Sequence, residues 1–473
     1  MSRFEVRLVV YNLVRSGGVL LLDTSFNSSC AVDVVEVALD GFRRREDRQK
    51  ALLAFIQAVE NEKDGFVKLL TTEQGKPTFQ AKAEVDLAIA VGRAAAQMTL
   101  PEEVIEDTEE RNIVCRFIPL GVVAGIVPWN FPNLLAIMKI APAVVTGNAI
   151  IIKPSPFTPY SGLKLVELAQ NFFPPGVVQS LSGDDNLGPW ITSHPGIDKI
   201  SFTGSTRTGK LVAASAAKTL KRVTLELGGN DAAIVCADVD IEKVAPEIAN
   251  FAFLNSGQIC LCIKRIFIHK SIYEPFLEAL ARHAETLRVG DGFAPDTFCG
   301  PLQNSMQYER VKGFFADIEK EQWTVAFGGK VENTSGYFIN PTIIDNPADD
   351  SRIVTEEPFG TLVRVHTTLA KANGILVGPI VPTLCWESEV EVVERANATD
   401  MGLGASVWSK DVESASRIAR QLEAGTVWVN NHFDLSPMAP FGGFKESGWG
   451  VEMGVAGLKA MCNSQTLMIN KRE

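Results

Sequence analysis

Apolar positions recur along the chain with two different periods. Between Arg43 and Gly75, Leu52, Leu53, Phe55, Ile56, Val59, Phe66, Leu69 and Leu70 fall three and four apart, the spacing that lines one face of an α-helix. The polar stretch from Asn61 to Gly65 divides this run into two amphipathic helices, and another helix is expected over Phe79 to Gln97. From Arg111 the pattern shortens: RNIVCRFI alternates imperfectly and reads as a strand closed by Gly121, and VVAGIV is a short buried strand stopped by Pro128. The run NLLAIMKIAPAVVTGNAIIIKPSPFTP then reads as helix, turn, strand and loop, and DKISFTG as a further strand leading into a helix that carries Gly209. Wholly apolar strands alternating with helices imply parallel strands buried on both faces, so the expected fold class is α/β with a doubly wound parallel sheet. After Cys260 the alternation resumes with a strand from Ile263 to Ile268 and a helix over Tyr273 to Thr286.

Composition narrows the function classes. At 473 residues the chain exceeds what one hydrophobic core serves, so two or three domains are expected. Acidic residues outnumber basic ones by 56 to 45 and no Lys/Arg cluster stands out, so nucleic acid is not an expected partner. No apolar run reaches the roughly 18 residues of a membrane span. Near the start, Arg3, Glu5, Arg7 and Arg15 interrupt the apolar core that a secretory signal needs. A mitochondrial presequence is the alternative, opposed by Glu5 and Asp23, and a cytoplasmic location is expected. Cysteines at 30, 115, 236, 260, 262, 299, 385 and 462 are scattered; Cys260 and Cys262 lack the second pair or nearby His of a metal site, so reduced thiols and no metal are expected.

The chemistry concentrates between Val223 and Leu261. In VTLELGGN, Glu226 sits at a strand end just ahead of Gly228 and Gly229, which allow the backbone a tight turn. In FLNSGQICL, Cys260 follows a polar turn and precedes a strand, where a thiol can face a cleft. A thiolate is a strong nucleophile near neutral pH, and a carboxylate in a poorly solvated pocket has a raised pKa that suits it to deprotonate water. Taken singly, a Cys is more often buried filler and a Glu after a strand more often a surface or capping residue. Lys153 and Ser155 follow a strand end, where such sheets bind ligands. Gly204 and Ser205 open a helix whose free N–H groups and dipole favour phosphate, although this is not a GxGxxG fingerprint and a simple N-cap reads equally well.

LELGG followed at this spacing by GQIC resembles the aldehyde dehydrogenase superfamily, NAD(P)-dependent enzymes that oxidise aldehydes to carboxylic acids through a thioester; the resemblance runs over roughly residues 50 to 470. It implies a Rossmann-like cofactor domain over 1–100 and 120–227, an α/β catalytic domain over 228–450, and a small β oligomerisation arm from 101–119 and 451–473. Through that arm and the tail strand Cys462 to Asn470 the resemblance implies a homodimer or homotetramer. It makes Cys260 the nucleophile, Glu226 the base, and the Asn130 amide of PWNFP an oxyanion donor. Lys139, one helical turn on, is either a participant in proton traffic or a surface residue. Trp129, Lys153, Ser155, Gly204, Ser205, Glu357 and Phe359 would contact the cofactor. Pro156 stands where many NAD-preferring members place a Glu, so NAD is the expected cofactor with NADP left open.

Phe131, Leu135, Met138, Ile259, Phe433 and Phe441 match the substrate funnel, with Leu254, Leu261 and Leu435 beside them; apolar walls favour an aliphatic or aromatic aldehyde, and plain core packing is the competing reading. Residues 361–378 separate EEPFG from PIVPTLCW, which the family joins; they are either a loop or sequence foreign to the mature message, the second being favoured. A cofactor-binding protein without catalysis, and a dehydrogenase that passes its acyl group to CoA, are the rival functions.

Overall fold

The computed structural model describes residues 42, 44–331, 335–356 and 379–472. Glu357, Phe359 and residues 361–378 lie outside the described residues, and so does nearly all of the chain before Arg44. The two helices expected first are Arg45–Asn61 and Lys63–Gln74, separated by Glu62, and the third is Thr78–Gln97. Leu52, Phe55, Ile56, Leu70, Val85 and Ile89 on their inner faces share one core with Ile137, Ile140 and Val144 of the helix Pro132–Thr146. Each such fully buried side chain is worth about 1.5–3 kcal/mol. A Cβ on Gly92 would lie 2.3 Å from Ile56 Cδ1, so glycine is what lets two of these helices touch.

Beneath that layer lies a six-stranded sheet in the order Gly448–Trp449, Arg222–Glu226, Lys199–Thr203, Val122–Ile126, Ala149–Lys153, Val178–Ser180. All pairs are parallel except the one made by Gly448–Trp449. The three central strands are buried at every position, which accounts for the apolar runs Val122–Ile126 and 149–152, while Lys199–Thr203 alternates Ile200 and Phe202 with the buried polar Lys199, Ser201 and Thr203. Chain order runs outward from Val122–Ile126 in one direction and then returns to its other side at Lys199–Thr203, so the switch point of the sheet lies between these two strands.

A second sheet of seven strands is ordered Thr324–Phe327, Thr342–Asp345, Ile380–Trp386, Ile263–His269, Asp231–Val235, Gly404–Trp408, Thr426–Val429, and only its first pair is antiparallel. The third sheet pairs Arg111–Pro119 with Cys462–Asn470 along their full lengths, joining the two segments expected to form an arm. A strand Glu103–Asp107, not expected from the sequence, covers the other side of Arg111–Pro119. Gly448–Trp449, in the segment assigned by resemblance to the catalytic domain, is hydrogen-bonded to the first sheet at Glu226. Among the described residues no helix is long and apolar enough to cross a membrane.

Candidate active site

Glu226 ends its strand at the carboxyl edge of the six-stranded sheet, and its backbone carbonyl accepts a hydrogen bond of 3.0 Å from Gly204 N. The residue is only 3% exposed, yet neither carboxylate oxygen has a hydrogen-bond partner among the described residues. Burial raises its pKa well above the usual carboxylate range, the negative charge of Glu452 raises it further, and Lys139 opposes both. Lys139 is fully buried, which removes the surface reading; its ammonium donates to Glu452 Oε1 and to Thr203 Oγ1, both at 2.8 Å. The Ser201 hydroxyl donates to the same Glu452 oxygen. Glu452, held by reciprocal backbone bonds to Phe441, is a member of the site that sequence reasoning missed. Lys199 lies in the same layer, donating to Thr224 Oγ1 at 2.7 Å, and burial pushes its pKa down to about 8.

Cys260 follows a turn in which Asn255, Ser256 and Gly257 all adopt left-handed backbone, with φ of 50°, 56° and 74°. Two consecutive non-glycine residues in that region store strain and persist only where the surroundings hold them. Here Asn255 N donates to Gln80 Oε1 at 2.9 Å, Ser256 Oγ to the Gly300 carbonyl at 2.7 Å, and Gln258 Nε2 to the Asn255 carbonyl at 2.9 Å. Past the turn, the Lys264 ammonium gathers the carbonyls of Cys260, Ile259 and Cys262 at 2.5, 3.1 and 3.4 Å. The opposite side of the Cys260 carbonyl faces Gly229, where a Cβ would stand 2.7 Å from the oxygen. That glycine therefore allows the Glu226 loop to pack against the Cys260 loop, so the two segments meet although far apart in sequence. The Cys260 residue itself is partly exposed, whereas Cys262 is buried with its sulfur 3.5 Å from the Leu254 carbonyl.

Asn130 stands on the far side of the same loop. Its amide nitrogen donates to the Gln258 carbonyl at 3.1 Å and its amide oxygen accepts from Phe131 N at 3.0 Å, which fixes the nitrogen toward the segment carrying Cys260. Phe131, Leu135, Leu254, Phe433 and Leu435 are partly buried and pack with Cys260 against one core cluster, the Phe131 and Phe433 rings 6.3 Å apart. Met138, Ile259 and Phe441 are buried within that cluster, behind this wall, and Leu261 is buried there too. His432 anchors the loop bearing Phe433 by donating from Nε2 to the Leu261 carbonyl at 2.7 Å. Asp231 is 3.9 Å away, but burial holds the imidazole neutral with a pKa of about 3, so the two do not form an ion pair.

The remaining candidates line the carboxyl ends of parallel strands around the switch point. Trp129 is buried after the strand Val122–Ile126. Lys153 ends Ala149–Lys153 with its ammonium 3.3 Å from the Pro154 carbonyl, and burial lowers its pKa. Ser155 is buried and accepts from Phe157 N at 3.2 Å. Gly204 ends the next turn, and Ser205 caps the helix Thr206–Ala217 by accepting from Thr208 N at 3.3 Å. The Lys153 ammonium at the end of one parallel strand, and the twelve-residue helix that Ser205 opens after the end of another, fit a dinucleotide with ribose hydroxyls and a pyrophosphate. Among the described residues, no group of three or more His, Cys, Asp or Glu side chains could hold a metal ion.

A profile of the aldehyde dehydrogenase family matches residues 28–376 and 374–467. The two matched segments overlap at 374–376, inside the 361–378 stretch, and the first begins earlier than the strings read from the sequence reach. A putative aldehyde dehydrogenase of Gibberella fujikuroi, FUS7, is 44% identical over 406 residues, 86% of this chain and 82% of that protein. The crystal structure of betaine aldehyde dehydrogenase from Staphylococcus aureus in complex with NAD+ is 30% identical, with a TM-score of 0.87 over 94% of this chain and 87% of that one. An E. coli NADP dependent enzyme has the same TM-score and identity over 93% of this chain and 90% of its own.

Proposed function

Because the chain belongs to the aldehyde dehydrogenase family, we propose that it oxidises an apolar aliphatic or aromatic aldehyde to the carboxylic acid with NAD+, NADP+ being the alternative acceptor. The Cys260 thiolate adds to the aldehyde carbon, and the charge that moves to oxygen is met by the Asn130 amide and the Cys260 backbone N–H. A nicotinamide cofactor held by Lys153, Ser155, Gly204 and Ser205 would supply the hydride acceptor there, and loss of hydride from the Cys260 adduct would leave a thioester on Cys260. Glu226 takes a proton from water, the resulting hydroxide adds to the thioester carbonyl, and collapse releases the acid and the thiolate. Aldehyde, oxidised cofactor and water are consumed; carboxylate, reduced cofactor and two protons are formed.

The observation that carries this reading is Glu226 itself: a buried carboxylate with both oxygens unpaired, beside a loop that packs against the nucleophile's own carbonyl. An unpaired buried acid is costly in a purely structural role, and burial raises its pKa, the direction that strengthens a carboxylate as a base. Lys153, Ser155, Gly204, Ser205 and Trp129, with Glu357 and Phe359, are assigned to the cofactor. Phe131, Leu135 and Phe433 are assigned to the substrate wall, supported from behind by Met138, Ile259 and Phe441. The division into cofactor domain (1–100 and 120–227), catalytic domain (228–450) and arm (101–119 and 451–473) belongs to the same reading. So do a cytoplasmic location and a homodimer or homotetramer, the latter supported by the edge of Cys462–Asn470 that is unpaired among the described residues, where Met468 is 77% exposed.

The experiment is a panel of benzaldehyde, a medium-chain aliphatic aldehyde and succinic semialdehyde, each with NAD+ and with NADP+, followed at the reduced-nicotinamide absorbance band. The apolar aldehydes should give the higher kcat/KM, and Cys260→Ser should abolish turnover. No turnover with any pair would overturn the reading, turnover only with added CoA would replace water by CoA as acyl acceptor, and preference for the semialdehyde would discard the substrate class.

A further inference from the structure

One fully buried ion pair is not used by the scheme above. Lys76 Nζ and Glu84 Oε2 are 2.6 Å apart with both side chains wholly enclosed. The ammonium also donates to the backbone carbonyl of Asn130 at 2.7 Å and stands 3.7 Å from the centroid of the Phe131 ring. The other oxygen of Glu84 accepts from Asn133 N at 2.9 Å and from Leu134 N at 3.3 Å. Those N–H groups open the helix Pro132–Thr146, which has no side-chain cap at its own N-cap residue. One pair therefore grips the segment 130–134 at two points, the cation on the carbonyl of the oxyanion donor and the carboxylate on the first turn that follows it.

Lys76 is itself firmly placed. It sits in the turn between Lys63–Gln74 and Thr78–Gln97, entered through Gly75 at φ of 91°. A Cβ on Gly292 would lie 2.8 Å from the Lys76 carbonyl oxygen, and one on Gly300 would lie 2.1 Å from that of Gly75. Backbone from the 290–301 loop is thus pressed against the turn, and Gln74 Oε1 accepts from Lys76 N at 2.9 Å. Enclosing two charges costs several kcal/mol of hydration per ion, and apolar replacements of such pairs are often neutral or stabilising in other proteins. Stability is a weak reason for this pair to exist, whereas its contacts converge on one functional amide.

We infer that Lys76 and Glu84 are positioning residues for the aldehyde dehydrogenase reaction, holding the Asn130 amide and the Phe131 wall against the Cys260 loop. The inference rests on the reading of Asn130 as oxyanion donor. Neither residue touches substrate or reacting atoms; both act through the 130–134 segment.

The test compares two reactions of Cys260 that need neither aldehyde nor cofactor. Acylation by p-nitrophenyl acetate builds an oxyanion, and alkylation by iodoacetamide does not. In the doubly neutral variant K76M/E84Q, acylation should fall about tenfold to hundredfold while alkylation stays near wild type, as expected for a displaced oxyanion donor. Asn130→Ala should give the same signature, and adding it to K76M/E84Q should cost little more, because the pair acts through that amide. E84Q alone keeps an oxygen for Asn133 N and should shift the ratio in the same direction by less, which preserves the test if the double variant folds poorly. An unchanged ratio of acylation to alkylation, or losses that multiply with Asn130→Ala, would overturn the inference. Absence of aldehyde oxidation by the wild type counts against the proposed function instead, and the ratio still judges the pair.

Discussion

Glu226→Gln removes a charge from the site with minimal change of shape. No hydrogen bond of the side chain is lost among the described residues, where neither oxygen has a partner, and the backbone bond from Gly204 N is untouched. The thermal midpoint should therefore hold or rise slightly, burial of an unpaired carboxylate being unfavourable. Turnover should not hold: a positioned general base contributes roughly 10²–10⁴ in rate, about 3–5 kcal/mol of barrier. Rapid mixing with benzaldehyde and NAD+ separates the steps. The variant should still release a burst close to one equivalent of reduced cofactor per subunit, because addition and hydride transfer do not use the carboxylate, and then stall at the thioester. In the wild type, the steady-state rate should fall as pH drops through the raised pKa of Glu226, above the usual carboxylate range, because the protonated acid cannot accept another proton. That limb should vanish in the variant. Steady-state turnover close to wild type, or loss of the burst along with turnover, would refute a role confined to hydrolysis.

Gly229→Ala places a Cβ within 2.7 Å of the Cys260 carbonyl oxygen and 2.8 Å of Leu403 Cβ, so the loops must separate; kcat should fall about 10²-fold or more with cofactor affinity little changed, read by kinetics and cofactor titration. Lys153→Met should weaken cofactor binding, raising its KM with a smaller effect on kcat, because the ammonium is assigned to the ribose and not to the reacting carbon. His432 carries an acid-stability prediction. Its pKa is about 3 in the fold against 6.5 in the unfolded chain, so its contribution is complete above pH 6.5 and is lost as pH falls toward 3, the unfolded chain taking up the proton first. Relative to His432→Gln, the wild type should lose about 2 kcal/mol between pH 8 and pH 5 in denaturant titrations, and parallel pH profiles would contradict this.

The parts of the molecule legible in the sequence are those written in local pattern. The helices after Arg43 declared themselves by spacing, the strands Val122–Ile126 and Ala149–Lys153 by their apolar runs, and the family by the strings around Cys260, Glu226 and Asn130. The structure brings the Glu226 loop against the Cys260 carbonyl and the Asn130 amide against the Gln258 carbonyl of the same loop. What escaped is carried by contacts between residues distant along the chain. Glu452 lies in GVEMG, which has no chemical signature, and enters the site only because Gly448–Trp449 returns to the edge of the first sheet. Lys139 read equally well as a surface residue because its burial depends on the Ser201, Thr203 and Glu452 side chains that surround it. Lys76 in a turn and Glu84 within a helix look like ordinary surface charges until the 130–134 segment closes over them. The strand Glu103–Asp107 is exposed along nearly its whole length, so it offered no apolar alternation to read.

The most direct measurement of the central claim is the intact mass of the Glu226→Gln protein after brief mixing with benzaldehyde and NAD+, followed by proteolysis to locate the added group. The account predicts one benzoyl group per subunit on the peptide containing Cys260, absent when cofactor is withheld and absent in Cys260→Ser. An unmodified subunit, or a benzoyl group on any other residue, would contradict it.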